Sequence, residues 1–262
     1  MDKSEKELKD LVKDNYSRVV KEDRSCCNSK SCCGNGNEEI VEKMDYSKEE
    51  INSIFREANY GLGCGNPGSI ANLKEGEVVL DLGCGAGFDV FLASRKVGPS
   101  GKVIGVDMTE EMIKKAKNNA KKNNINNVKF LLGEIEDLPI EDNSIDVIIS
   151  NCVINLSPNK EKVFEEVKRV LKTDGRLAIS DILKEKEFPN EILSELDNYS
   201  SCVTGSVKKD KIINILESLK FKDIEIERKT NSNEIVEDWI SGFNIQNYIY
   251  SSYIRAKNSS EY

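Results

Sequence analysis

An α/β fold, an open sheet with helices on both faces, is predicted by three features of this 262-residue sequence. From Glu77 onward, short apolar runs alternate with amphipathic helical patterns, the order expected of strands joined by crossover helices. The first run, Val78 to Val90 (VVLDLGCGAGFDV), passes from an apolar strand through an acid into a glycine-packed turn that opens a helix. Gly83, Gly85 and Gly87 permit backbone conformations and close approaches that a Cβ would obstruct, and the helix start offers unpaired N–H groups. Twenty residues past Gly87 a second run, KVIGVD, closes on Asp107, where an acid can accept hydrogen bonds from ribose hydroxyls. Together these features mark a nucleoside site.

Taken in order, apolar positions from about Lys6 to Glu22 recur at helical spacing. The polar stretch DRSCCNSKSCCGNGNEE that follows predicts a mobile arm. Ser47 and Glu50 form a capping box for a short helix through Ile51, Ile54, Phe55 and Ala58 that ends near Asn59, and GLGCGNPGS reads as a turn. Strands are expected at 78–81, 103–107, 128–132, 145–150 and 177–180 in a parallel sheet. Thr109 is placed to cap the second crossover helix. Ser157 with Pro158 is placed to start another, which buries Val163, Phe164, Val167, Val170 and Leu171. Beyond Asp181 the chain reads as helical around Ile192 to Tyr199, turns at SSCVTGS, forms a helix through Ile212, Ile213, Leu216 and Leu219, and returns as a strand near Ile224 and Ile226. The tail from Asn231 carries no clear period. Three regions result: an arm over 1–46, a nucleoside-binding domain over 47–182, and a C-terminal substrate-binding region over 183–262.

The net charge of −8 argues against nucleic acid, whose phosphates need a concentrated basic surface. The basic run Lys114 to Lys122 shares a predicted helix with Met112, Ile113, Ala116 and Ala120 and reads as a solvated face. A charged N-terminus without an apolar core, and no long apolar run, predict a cytoplasmic protein with no membrane partner. In a reducing compartment the eight cysteines are expected to be free, metal-binding or catalytic rather than disulfide-bonded. With no histidine in the chain, chemistry must run on thiols, carboxylates, tyrosines, lysines or a cofactor.

Two readings compete for the glycine loop: a nicotinamide or flavin site, and an S-adenosylmethionine site. DLGCGAG, the acid after the second strand, and GEIEDLPIEDNSIDVIIS resemble, in order, the consecutive motifs of class I S-adenosylmethionine-dependent methyltransferases. The resemblance implies a Rossmann-like sheet and S-adenosylmethionine as co-substrate. It sets Asp81, Gly83 and Gly85 along the methionine portion, Asp107 at the ribose, and Glu134 with Ile135 at the adenine; Met108 and Asn151 complete the implied cofactor set. In such sheets the site lies outside the carboxyl ends of the strands. Cys152 falls there, and Cys64 and Cys202 lie on connections that can fold over the same rim. Each thiol taken singly could equally be a small buried hydrophobe, a role that suits Cys84 best.

GLGCGNP, SNCVINLSPNK and SSCVTGS, around those three cysteines, resemble the arsenite S-adenosylmethionine methyltransferases. The resemblance implies that Cys64, Cys152 and Cys202 bind trivalent arsenic as substrate and carry the catalysis, with the arsenic-binding elaboration C-terminal. It further implies trivalent arsenicals as partners, thioredoxin or glutathione as the thiol reductant, and an additional upstream thiol. Cys33 and Cys32 are the candidates for that thiol. Two vicinal pairs, Cys26–Cys27 and Cys32–Cys33, also leave open a zinc cluster or a metal-scavenging arm. A methyltransferase acting on another small metabolite, and a non-catalytic arsenic sensor or sequestering protein, are the alternative functions.

Overall fold

The computed structural model describes residues 4–22, 36–195 and 197–259. Cys26, Cys27, Cys32 and Cys33, with the first part of the arm expected around them, lie outside the described residues, whereas the end of that stretch, GNEE from Gly36, is not loop but the start of a helix running to Lys43. Ahead of the sheet come α1 (Glu5–Glu22), α2 (Gly36–Lys43), α3 (Lys48–Ser53) and α4 (Pro67–Ile70). The central unit runs β1 (Val78–Leu82), α5 (Phe88–Val97), β2 (Lys102–Asp107), α6 (Glu110–Lys122), β3 (Val128–Leu132), β4 (Ile145–Asn151), α7 (Lys160–Val170) and β5 (Leu171–Lys184). Then follow α8 (Asn190–Leu193), α9 (Asp197–Ser200), α10 (Lys209–Ser218), β6 (Phe221–Arg228), α11 (Ser232–Val236) and β7 (Ile249–Asn258).

The sheet has seven strands in the order β3-β2-β1-β4-β5-β7-β6. The five strands β1 to β5 are parallel, as expected, but β7 inserts antiparallel between β5 and β6, so the sheet is mixed. β7 lies in the tail that carries no clear period. Its Ser251 and Ser252 are fully buried, and their hydroxyls donate to the carbonyls of Cys64 and Asp181, so polar side chains that interrupt any apolar period sit in the interior with partners. β5 is also longer than predicted. It starts at Leu171, ahead of the polar KTDG stretch, across which the pairing with β4 shifts register between Ile145 and Val147, and it runs past residue 182, so the sheet continues unbroken into the C-terminal region.

Alternation along the strands separates two apolar layers. Leu80 and Ile148 face a layer with Phe164, Val167 and Leu177, whereas Val79, Val147 and Ile149 face Phe91, Ala116 and Phe130. The Ser47–Glu50 capping box forms in both directions. Thr109 occupies its cap position without a side-chain bond to the helix. Helix α7 starts later than expected: Asn159 caps it by accepting from Lys162 N at 3.0 Å, while Ser157 Oγ is engaged with Glu136 and with Asn159 N. The helix expected around Ile192 to Tyr199 is split into α8 and α9. Among the described residues no helix is long and apolar enough to cross a membrane.

Candidate active site

A cavity of about 1090 Å³ opens at the carboxyl ends of β1, β2 and β4, lined in part by Asp81, Gly83, Asp107, Met108, Cys152 and Cys202. The glycine turn forms one wall. Gly83 has φ +69°, and a Cβ there would lie 2.4 Å from Val153 Cγ2. Gly85 (φ +52°) donates its N–H to Asp107 Oδ2 at 2.9 Å, and Thr109 N–H donates to Asp107 Oδ1 at 2.8 Å. The acid ending β2 is thus aligned by the loop it serves.

Three carboxylates crowd this wall. Asp81 is buried, and its Oδ1 has no hydrogen-bond partner. Burial, and then the charges of Asp89 and Asp107, push it well above the usual carboxylate range. Burial raises Asp89 to about 6 despite hydrogen bonds from Tyr46 and Asn151, and burial likewise raises Asp107. Like charges in a desolvated wall disfavour ionisation unless a cation enters. The orphaned Asp81 oxygen, the glycine cradle and the excess of negative charge therefore fit a co-substrate carrying a sulfonium and an ammonium group. Beyond β3, Ile135 lines the cavity together with Glu136. The Glu134 carboxylate is directed to Lys9 Nζ at 2.6 Å, and Lys9 also reaches Glu136 at 3.2 Å. Helix α1 therefore spans the cavity, with Ser17 on Glu111 and Asn15 on Ser200.

Opposite the glycine turn, thiols from three separate connections come together, Cys152 and Cys202 lining the cavity and Cys64 fully buried beside Cys152. Cys152 follows β4, Cys64 lies in the turn before α4, and Cys202 lies between α9 and α10; all are buried and free. The Cys152 thiol is hydrogen-bonded to both Cys202 and Cys64, and these bonds, together with burial, hold it well above the ordinary thiol range. The bond with Cys152 pulls Cys202 down, but burial and the charges of Asp181 and Cys64 outweigh it and leave Cys202 raised. Cys202 Sγ donates to Cys152 O at 2.9 Å. Cys152 and Cys202 adopt left-handed backbone conformations, φ +58° and +66°, strain that persists only where surrounding structure imposes it. Cys84 lies within the apolar layer under the glycine loop.

Asn151 ties the two walls together. Its Oδ1 accepts from Cys64 N at 2.9 Å, and its Nδ2 faces Gly65 O, Tyr46 Oη and Asp89 Oδ2 at 2.6, 3.0 and 3.4 Å. Tyr46, Asp89 and Asp181 are site residues that sequence reasoning missed. Asp181 lies on β5, with a carboxylate oxygen within 4.8 Å of the Cys64 and Cys152 sulfurs. It accepts from Asn155 Nδ2 at 2.7 Å, leaves Oδ2 without a partner, and is raised to about 6 by burial. The signal that marks Asp81 and Asp107, an acid closing an apolar run, is present at Asp181 too. Protonated thiols in a dry pocket can each displace a hydroxyl from a trivalent centre as water, which requires no histidine.

Residues 73–220 match the family described as "Methyltransferase domain". An arsenite methyltransferase of Halobacterium salinarum is 40% identical over 98% of this chain and 68% of its own length. Arsenite methyltransferases of Aquipseudomonas alcaligenes (35% identical) and mouse (37%) match over 74% and 64% of this chain, which spans 56% and 45% of those proteins. Among solved structures, CrArsM, an arsenic(III) S-adenosylmethionine methyltransferase from Chlamydomonas reinhardtii, aligns with a TM-score of 0.63 and 31% identity over 84% of this chain and 74% of that one.

Proposed function

The chain belongs to the arsenite methyltransferase family, and from that premise we propose that it methylates trivalent arsenic held by Cys64, Cys152 and Cys202, with S-adenosylmethionine as methyl donor. The observation that carries this reading is the cluster of three buried thiols, two of which, Cys152 and Cys202, line a cavity whose other wall is a glycine cradle rimmed by acids.

When bound, S-adenosylmethionine supplies a methyl carbon on a cationic sulfur, electrophilic toward the lone pair of thiol-bound arsenic. Gly83 and Gly85 admit the methionine portion, Asp81 and Asp89 balance its positive charge, and Asp107 receives the ribose. Ile135 and Met108 flank the base, and Asn151 keeps both walls in register. Each cysteine that condenses with arsenous acid forms an As–S bond and releases one water. A neutral pyramidal arsenic remains, its lone pair free. Holding both partners dry and in line is the main contribution asked of the protein. Arsenic that has shared its lone pair with carbon is oxidised by two electrons, so a thiol reductant of the thioredoxin or glutathione class is required for further cycles. Cys32 or Cys33 is the proposed upstream thiol. A reducing cytoplasm suits a site built from free thiols.

The test is methyl transfer to arsenite by reduced protein, with arsenic species separated by chromatography. Cys152→Ser and Cys202→Ser are expected to form no methylated arsenic while binding S-adenosylmethionine as the wild type does in calorimetry. A fully active double variant would overturn the thiol assignment. Tight arsenite binding with no methylated product from the wild-type protein would point to sequestration instead.

A further inference from the structure

The geometry points to Lys229 as a positioning residue for Cys64, an inference that rests on the reading of Cys64 as the third arsenic ligand. Lys229 directly follows β6, and its side chain is 1% exposed. Burying an ammonium is unfavourable unless its bonds are satisfied. Here Nζ lies 2.9 Å from Asp45 Oδ2, donates to the carbonyls of Cys64 and Met44 at 3.4 Å each, and stands 4.8 Å above the Tyr253 ring. The neighbouring residue is shaped to admit it. A Cβ on Gly65 would lie 2.8 Å from Lys229 Nζ and 2.2 Å from Ser180 Oγ.

Cys64 is held on every side by this arrangement. Its N–H is bonded to Asn151, its carbonyl accepts from Ser251 Oγ at 2.7 Å as well as from Lys229, and its sulfur is 3.6 Å from Ser180 Oγ. The backbones of Cys152 and Cys202 are anchored without Lys229, by Ser180 O and Tyr199 O on their N–H groups and by the Cys202 Sγ bond to Cys152 O. Lys229 thus bears directly on one of the three cysteines and reaches the others only through the thiol contact between Cys64 and Cys152. Asp45 is in turn fixed by Tyr253 Oη at 2.9 Å and Asn231 Nδ2 at 3.2 Å, so the turn after α2 and the C-terminal strand together set where Cys64 stands.

The consequence is a split between substrates. Arsenous acid has three exchangeable oxygens and can use three thiols, whereas methylarsonous acid, with one position taken by carbon, can use two. Displacing Cys64 should therefore impair the first substrate and spare the second. A displacement on the order of 1 Å in a reacting group lowers rates by about 100-fold. For Lys229→Met in the full-length chain, kcat/KM for arsenite is expected to fall about 10- to 100-fold, with the value for methylarsonous acid and the calorimetric affinity for S-adenosylmethionine unchanged. Asp45→Asn, at a partly exposed carboxylate, should shift the same ratio in the same direction by a smaller factor; it carries the test if Lys229→Met fails to unfold cooperatively. Cys64→Ser sets the scale of the ratio. Equal loss on both substrates, or no loss, while Cys64→Ser still splits them, would overturn the positioning role. No split in Cys64→Ser itself would overturn the third-ligand reading and the inference with it.

Discussion

Gly83→Ala isolates what the glycine cradle contributes. A Cβ at Gly83 would stand 2.4 and 2.6 Å from the two γ-methyls of Val153 and 3.0 Å from its Cβ. Val153 is β-branched, packs against the core, and directly follows Cys152, so it cannot rotate out of the way cheaply. Two terms add. The left-handed backbone at φ +69° costs a non-glycine residue about 1–2 kcal/mol, and forcing the extra methyl into a packed site costs about 1–3 kcal/mol. The sum, about 2–5 kcal/mol, corresponds in a chain of this size, at about 2 °C per kcal/mol, to a fall in Tm of about 4–10 °C. Gly242→Ala separates the terms, because Gly242 has φ +76° and a Cβ there meets nothing within 4 Å. It should lose only the backbone term. Thermal unfolding of both variants, with calorimetric titration of S-adenosylmethionine, reads the difference. Gly83→Ala should also lose cofactor affinity and Gly242→Ala should not. Equal falls in Tm for the two variants would refute the steric part, and unchanged affinity in Gly83→Ala would refute the cradle.

Asp107→Ala removes the acceptor of the Gly85 and Thr109 N–H groups together with the expected ribose contact. S-Adenosylmethionine affinity should fall about 10- to 100-fold, about 1.4–2.8 kcal/mol, and an unchanged dissociation constant in calorimetry would exclude the assignment. Cofactor binding should also depend on pH. Asp89 is raised to about 6, and Asp81 lies well above the carboxylate range. A bound cation favours their ionised forms and so lowers both values. Binding is therefore strongest where the acids are already ionised, and it weakens with proton uptake as pH falls through about 6. Titrations on either side of that pH check the sign, and a flat profile would count against a cation in this wall.

Much of the fold was legible because local signals agreed with one another. Strands β1 to β4 lie within a residue or so of their expected positions, since each is an apolar run bounded by glycine, asparagine or an acid. The capping box before α3 formed as read. β7 was illegible because Ser251 and Ser252 disguise a central strand, and the polarity that hides it is what lets them hold the Cys64 and Asp181 carbonyls. α7 was misplaced at its start because Ser157 and Asn159 are both good caps, and only the tertiary contact of Ser157 with Glu136 decides between them.

The sequence by itself determined the parts that depend on neighbours along the chain: the glycine loop, the acids that end β1 and β2, and the cysteine segments whose resemblance named the chemistry. Tertiary structure alone decided what depends on residues far apart in sequence. It clustered Cys64, Cys152 and Cys202, the last two on the cavity wall, and it raised Asp89 and Asp181 to about 6 by burying them. It also set Lys229, 165 residues from Cys64, against that residue's carbonyl. Spacing records which residues are close in the chain, whereas burial and electrostatics depend on every element packed around a group.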